Sequence, residues 1–210
     1  MADIISAGNP HCLEEAVRLL RAGEIICYPT DTVYGVGAAA SNDAAVKRLF
    51  AVKGRSPGKP LPLLIADAAS ASLVADVSPL ARKLMSRFWP GGLTLVLRKL
   101  DDFRSVALAG QDTVALRVPD HGLVREIIAL LGEPIIGTSA NRAGARPPVT
   151  APEAAFQLGD MVALVIDGGP RPQGKESTVL DITVSPPCIL REGAVGRQAI
   201  REALEGKEVA

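Results

Sequence analysis

Glu24-Ile25-Ile26-Cys27-Tyr28-Pro29-Thr30-Asp31-Thr32-Val33-Tyr34-Gly35 is the stretch on which the fold turns. It opens as a short, largely apolar run, reads as a buried strand over 24–28, and ends in hydroxyls and a short turn. Shortly after it, Lys53-Gly54-Arg55-Ser56-Pro57-Gly58-Lys59-Pro60 sets cations in a Gly/Pro loop, and no acid occurs from Ala44 to Ala66. A strand end that offers hydroxyls beside a cationic loop suits a polyanionic substrate.

Strands and helices alternate on either side of this stretch. Before it, Asn9 caps a helix with Pro10 at its first position; Leu13, Ala16, Val17 and Leu20 form the buried stripe and Gly23 ends it. After it, the pattern predicts a strand near 33–39, a helix from Asn42 or Asp43 to about Val52, and a buried strand over 61–66. Ser78-Pro79 starts a helix that Trp89-Pro90-Gly91-Gly92 ends. Strands follow near 93–97 and 113–118, then a helix near 123–131 and a strand over 134–138. Thr150-Ala151-Pro152-Glu153 is a capping box. Strands near 162–166, 177–182 and 188–191 precede a last helix near 197–204. The expected class is α/β: one domain over 1–210, with a core of about 4–196, around an open, twisted, mixed sheet with flanking helices.

Composition narrows the function classes. The chain is 48% hydrophobic but only 3% aromatic, which implies an aliphatic core. With 23 basic against 23 acidic residues, no whole-molecule field attracts nucleic acid. Local bias remains, because Val77–Leu100 and Pro134–Pro152 also lack acids and carry Arg82, Lys83, Arg87, Arg98, Lys99, Arg142 and Arg146. Cys12, Cys27 and Cys188 lie far apart with no C-x-x-C pair, and His11 and His121 show no ligand spacing, so no protein-bound metal site is expected. Cys12 and Cys27 sit in apolar segments and read as core filler. Without a signal-like start or an apolar run near the ~20 residues of a bilayer span, the chain reads as soluble.

Two nucleotide motifs nearly form and fail on context. Gly35-Val36-Gly37-Ala38-Ala39-Ala40 fits a dinucleotide fingerprint, but the cationic loop stands where an acid should close the next strand. Gly169-Pro170-Arg171-Pro172-Gln173-Gly174-Lys175 has P-loop spacing, yet Glu176 follows in place of the magnesium-binding hydroxyl and a strand follows in place of the helix.

Arg117, Thr138-Ser139-Ala140-Asn141, Ser177-Thr178 and Arg191 continue the polar series begun at Thr30. These segments, in this order from about Ile4 to Gly196, resemble the YrdC-like family of threonylcarbamoyl-AMP synthases. The resemblance implies a short, single-domain nucleotidyltransferase with a concave basic cavity. Such an enzyme makes threonylcarbamoyl-AMP and pyrophosphate from ATP, L-threonine and bicarbonate. A separate threonylcarbamoyl-transferase complex then modifies the adenosine beside the anticodon of tRNA. The resemblance assigns ATP contacts to Arg55, Lys59, Thr113, Ser139 and Arg191, and threonine contacts to Thr32, Arg117, Gly137 and Ser177. Lys53 and Arg55 form its K-x-R element and are the expected catalytic pair. It further implies magnesium carried in by ATP, a cytoplasmic location, and possible direct RNA contact.

The residue types suit that chemistry. A carbamate oxygen attacks the α-phosphorus in line with departing pyrophosphate, a step that needs positioning and charge neutralisation more than a strong base. Arg117 is suited to bidentate pairing with an amino-acid carboxylate. Replacing Arg55 by alanine is expected to lower turnover by orders of magnitude. Blander roles stand beside these: Thr30, Thr32, Ser139 and Asn141 as satisfied turn residues, Asp31 as a turn cap, Tyr34 and Trp89 as packing. Leu64 replaces a histidine that many members carry near the threonine, Pro148 replaces a serine, and Ala143 a common Ser or Thr. Longer members continue past the last helix through a lid-forming linker into a second domain, so a chain ending at Ala210 is expected to hold its intermediate less tightly and to lean on a partner enzyme. The competing readings are a related paralogue acting on another acceptor and a non-enzymatic RNA-binding or ribosome-associated module.

Overall fold

A computed structural model describes residues 2–54, 56, 58–171, 174–205 and 209. Its strands are β1 (Asp3–Ser6), β2 (Ile26–Tyr28), β3 (Gly35–Gly37), β4 (Leu63–Leu64), β5 (Leu93–Arg98), β6 (Thr113–Arg117), β7 (Ile135–Ile136), β8 (Thr138–Ser139), β9 (Leu164–Asp167), β10 (Thr178–Asp181) and β11 (Cys188–Arg191). Its α-helices are α1 (Cys12–Arg21), α2 (Asp43–Val52), α3 (Pro79–Phe88), α4 (Gly122–Leu131), α5 (Ala151–Leu158) and α6 (Arg197–Ala203).

The expected mixed sheet is present as two mixed sheets that share one segment. One runs β1-β9-β2-β3-β8 and the other β11-β10-β5-β6-β4-β7. Residues 134–140 belong to both: β8 pairs with β3 through Gly35 and Ser139, while β7 pairs with β4 through Leu63 and Ile136. A bridge from Ala39 to Ile135 and a 2.9 Å bond from the Ile136 amide to the Ala38 carbonyl close the join. Two glycines allow this close approach. A Cβ on Gly37 would sit 2.1 Å from the Ile136 carbonyl oxygen, and one on Gly35 would sit 2.6 Å from the Tyr28 ring. The Gly-Val-Gly that mimics a dinucleotide fingerprint is therefore glycine for strand packing.

Period-two alternation decides which face of each strand meets the core. In β5, Leu93, Leu95 and Leu97 are buried in the main hydrophobic cluster, whereas Thr94 and Val96 point to the opposite face. The main cluster gathers both sheets with α2, α3, α5 and α6; a second one packs α1 and α4 on Ile26, Tyr28 and Leu164. Each such aliphatic side chain contributes about 1.5–3 kcal/mol on burial. Cys12 and Cys27 are core residues, as expected.

The helix caps follow the sequence in three cases. Asn42, Ser78 and Thr150 accept from the amides of Ala45, Ala81 and Glu153 at 3.0, 3.1 and 3.3 Å. The first helix starts later than expected. Asn9 Oδ1 accepts from the His11 amide at 2.9 Å, so Asn9-Pro10 forms a turn ahead of α1 and the cap position is His11. Strand β1 was not expected: mostly exposed, it is held by parallel pairing with β9.

Candidate active site

The sheet faces turned away from the core line a cleft with three adjoining lobes. Thr138, Ser139, Glu176 and Arg191 line all three. The inner lobe, about 30 Å³, is walled by Tyr28, Thr30, Thr32, Leu64, Arg117, Gly137 and Ser177 among others. A sheet-face lobe of about 490 Å³ lies over Thr94, Val96, Thr113, Ala115 and Val179. An outer lobe of about 430 Å³ is bordered by Lys53, Gly54, Ser56, Lys59 and Asn141.

The residues expected to hold an amino acid and those expected to hold a nucleotide lie along these adjoining lobes. Thr32, Arg117, Gly137 and Ser177 all line the inner one, and Gly137 also lines the sheet-face lobe. Thr113 lines the sheet-face lobe, Lys53 and Lys59 the outer one, and Ser139 and Arg191 border every compartment. Arg55 lies outside the described residues.

Arg117 ends β6 on the cleft face, 6% exposed. Its guanidinium donates to Asp31 Oδ1 at 2.5 Å, Thr32 Oγ1 at 3.0 Å and the Gly91 carbonyl at 2.8 Å. Burial pulls its pKa down and the adjacent Asp31 carboxylate pushes it back up. The sequence suggested a substrate anion as the partner of this buried cation; the fold supplies a carboxylate of its own, and Asp31, expected to cap a turn, also accepts from the Asp120 amide at 3.0 Å. These bonds use three of the five guanidinium N–H groups and leave one on each terminal nitrogen.

Thr30 and Thr32 complete this network. Thr30 Oγ1 donates to the Val33 carbonyl at 2.7 Å, so in its 3.0 Å contact with Thr32 Oγ1 the proton belongs to Thr32. Thr32 then accepts from Arg117 while donating to Thr30. The strand-end backbone role falls to Thr30, whereas the Thr32 hydroxyl bonds side chains and its residue lines the inner lobe.

Lys53, 7% exposed, is directed at the 139–141 turn. Its ammonium donates to the carbonyls of Ser139 and Asn141, both at 2.5 Å, and to Asn141 Oδ1 at 2.9 Å. Ser139 Oγ donates to the same Oδ1 at 2.6 Å. The expected turn role of Asn141 is therefore present, and it orders a residue that faces all three lobes. Tyr34 is a packing residue, as expected; its hydroxyl donates to the Gly169 carbonyl at 2.8 Å. Trp89 likewise donates from Nε1 to the Leu93 carbonyl at 2.7 Å.

A model of the family of Sua5, YciO and YrdC, described as "Telomere recombination", matches residues 18–193. The chain belongs to the Sua5/YciO/YrdC family. Threonylcarbamoyl-AMP synthase of Bacillus subtilis (strain 168) is 40% identical over 206 residues, which are 97% of this chain and 59% of that protein. The crystal structure of P. abyssi Sua5 complexed with L-threonine has a TM-score of 0.92 at 36% identity, covering 100% of this chain and 62% of that one. E. coli YciO has a TM-score of 0.85 at 28% identity, covering 95% of this chain and 99% of that one. The chain thus spans about three-fifths of the first two relatives.

Within this Sua5/YciO/YrdC fold, Glu176 is the lining residue that the sequence reading passed over, naming it only as the residue that spoils a P-loop. Its Oε1 lies 3.0 Å from Arg191 Nη1. Arg191 donates in addition to the Ser177 carbonyl and to Ser177 Oγ, both at 3.1 Å, and Ser177 Oγ lies 2.8 Å from Thr94 Oγ1. An acid beside an expected substrate residue is visible in the sequence as Glu176-Ser177; its link to Arg191 is not. Leu64 lines the inner lobe and fills the space that a Cβ on Gly137 would need, with its Cγ 2.6 Å from that position. Among the described residues no group of three or more His, Cys, Asp or Glu side chains is placed to hold a metal ion, and no helix is long and apolar enough to cross a membrane.

Proposed function

We propose that this protein is an L-threonylcarbamoyladenylate synthase, converting Mg-ATP, L-threonine and bicarbonate to threonylcarbamoyl-AMP and pyrophosphate. The observation that carries the reading is the gathering of both expected residue sets on adjoining lobes: Thr32, Arg117 and Ser177 on the inner one, Thr113 and Lys59 on the larger two, and Gly137, Ser139 and Arg191 shared. The relatives named threonylcarbamoyl-AMP synthase, and the one with L-threonine in its structure, support it. On this reading the amino-acid carboxylate meets the two spare N–H groups of Arg117, and the Gly137 backbone and Ser177 orient the rest. The triphosphate lies between the outer lobe, with Lys59, and Arg191; Arg55 is assigned to it from the sequence alone. Thr113 and the sheet face receive the nucleoside. Magnesium arrives with the nucleotide as part of the substrate. Lys53 acts by holding the 139–141 turn, so that the Ser139 hydroxyl and the α-phosphate region are in fixed register.

The chemistry is then positional. Threonine amine and bicarbonate give a carbamate and water; a carbamate oxygen attacks the α-phosphorus as pyrophosphate leaves toward the cationic loop. Preorganised cations stabilise the charge that develops there. We place the activity in the cytoplasm, within one domain over 1–210, upstream of a transferase complex that acts on tRNA. Leu64 beside Gly137 makes the choice of amino acid the open specificity of the site, with serine as the comparison.

The test is a product assay. Purified protein with Mg-ATP, L-threonine and bicarbonate should release pyrophosphate and an adenylate of the threonylcarbamoyl mass. Both should vanish when bicarbonate is omitted and fall when serine replaces threonine. Folded protein that makes no adenylate from any amino acid refutes the reading, and salt-sensitive RNA binding without ATP turnover would replace it with the binding-module alternative.

A further inference from the structure

We infer that Glu176 and Arg191 form a latch on the inner lobe, and that Glu176 is a positioning residue whose carboxylate occupies Arg191 until a substrate anion displaces it. The inference rests on the proposed function for the identity of that anion, the phosphates of ATP. Three observations carry it.

The first is space. The inner lobe measures about 30 Å³. The lobes it adjoins measure about 490 and 430 Å³, so it is the narrow end of the cleft, and a ligand seated there gains room from any outward movement of its wall. The second is where it can widen. Tyr28, Thr30, Thr32, Val33, Leu64, Arg117, Thr138 and Ser177 are all buried side chains of its wall, several tied to one another. Glu176 and Arg191 are the long lining side chains that solvent reaches, 31% and 40% exposed. The third is what Arg191 covers. Seated against Glu176, it also donates to the Ser177 hydroxyl and carbonyl, two of the polar atoms at the inner lobe. Moving Arg191 toward the outer lobes frees Ser177 and enlarges the inner lobe in one motion.

Glu176 decides the ease of that motion. It is the acid common to all three lobes, and in the sheet-face lobe the other, Asp181, is occupied by bonds from the amide and hydroxyl of Thr183 at 2.8 and 2.7 Å. Among the described residues Glu176 is thus the acid bordering every lobe, and it is paired with Arg191, which borders every lobe as well. Phosphate oxygens and the Glu176 carboxylate compete for the same guanidinium. Binding of nucleotide therefore opens the amino-acid lobe, and the two ligands favour each other by equal factors, as linkage requires. When pyrophosphate and adenylate leave, Glu176 returns to Arg191 and promotes their release.

Glu176→Gln keeps the shape and removes the charge. Titration calorimetry of wild type and variant with Mg-ATP, each with and without saturating L-threonine, is the test. The variant should bind ATP about two- to fivefold more tightly in the absence of threonine, the range expected for removing a competing half-exposed ion pair. Threonine should then tighten ATP binding less in the variant than in wild type. In turnover, KM for ATP and kcat should fall together, because the anionic products leave more slowly. A merely structural role predicts the opposite sign, weaker binding. Equal or weaker ATP binding by a folded Glu176→Gln protein overturns the latch while leaving the synthase reading intact. Wild type that binds no ATP refutes the synthase reading, and the latch with it.

Discussion

Removing the Asp31 carboxylate should destabilise this protein by about 3 kcal/mol, although Asp31 lies on a turn. Arg117 and Asp31 are 7% and 13% exposed and 2.5 Å apart, so Asp31→Ala leaves a guanidinium that water reaches poorly. Breaking a buried pair from one side costs roughly 3–5 kcal/mol. The lower end applies here, because Thr32 Oγ1 and the Gly91 carbonyl still accept from Arg117. The Asp120 amide also loses its acceptor. Asp31→Asn retains an oxygen for both donors and should cost about half as much. Arg117→Gln in the Asp31→Ala background removes the stranded charge, so the double variant should be less destabilised than the sum by about 2 kcal/mol. Urea unfolding followed by circular dichroism measures all of this; with a slope near 2 kcal/mol/M, the Asp31→Ala midpoint drops by about 1.5 M. A midpoint shift equivalent to less than about 0.5 kcal/mol, or an additive double variant, refutes the account of this network.

Lys53→Ala should leave the fold standing yet release the 139–141 turn, raising KM for ATP and speeding amide exchange at Ser139 and Asn141; unchanged exchange there would show that the three bonds do not order the turn. Gly37→Ala places a methyl 2.1 Å from the Ile136 carbonyl oxygen, where backbone must move, and should cost about 3 kcal/mol or abolish folding, whereas Gly110→Ala, with no atom within 4 Å but φ of +76°, should cost only about 1 kcal/mol. Comparable thermal midpoints for the two would refute the close-approach reading. The Cys27 thiol is pushed up to about 12 by burial, against which Lys53 pulls it down. The unfolded thiol loses its proton near its ordinary value of 9.0 and the folded one does not, so the unfolded state binds fewer protons and stability falls as pH rises from about 9 to 12. Cys27→Ala should flatten that decline by up to about 1.4 kcal/mol per pH unit, leaving the share from buried Tyr28, raised in the same sense; an unchanged slope sinks the assignment.

What could be read from the sequence was local or periodic. The caps at Asn42, Ser78 and Thr150 need only neighbours three residues away, and the alternation of Leu93-Thr94-Leu95-Val96-Leu97 shows two faces without showing what covers them. Strand β1 escaped because Asp3-Ile4-Ile5-Ser6 has no buried stripe; its stability comes from pairing with residues beyond position 160. The division of one expected sheet into two depends on Gly137, where the shared segment leaves β4 for β3. Nothing in the sequence marks that glycine as the point where the chain changes sheets. In the site, residue types were legible and partnerships were not. Arg117 in an apolar strand announced a buried anion, but Asp31 is 86 positions away and Glu176 is 15 from Arg191. Those separations are set by topology, which propensity and spacing do not encode.

The two arginines of the cleft divide the work between them through their surroundings. Arg117 is buried and held by a carboxylate, a hydroxyl and a carbonyl, so its geometry is set before any ligand arrives. Arg191 sits on the edge strand β11, with its charge shared with a half-exposed Glu176. On the proposed function, the rigid cation at the closed end reads the shape of a small zwitterion, because a misplaced carboxylate cannot recruit it, and the movable cation at the open end follows a flexible triphosphate and lets its products go. Exchanging those environments should invert the properties: stripping Asp31 loosens the end that discriminates, and neutralising Glu176 tightens the end that must release. The first change should therefore blur the preference for threonine over serine with little effect on ATP affinity, and the second should raise ATP affinity while preserving that preference. Parallel kcat/KM measurements with both amino acids on Asp31→Asn and Glu176→Gln separate the two. If both variants lose discrimination equally, the cleft behaves as one coupled unit and the division of roles is wrong.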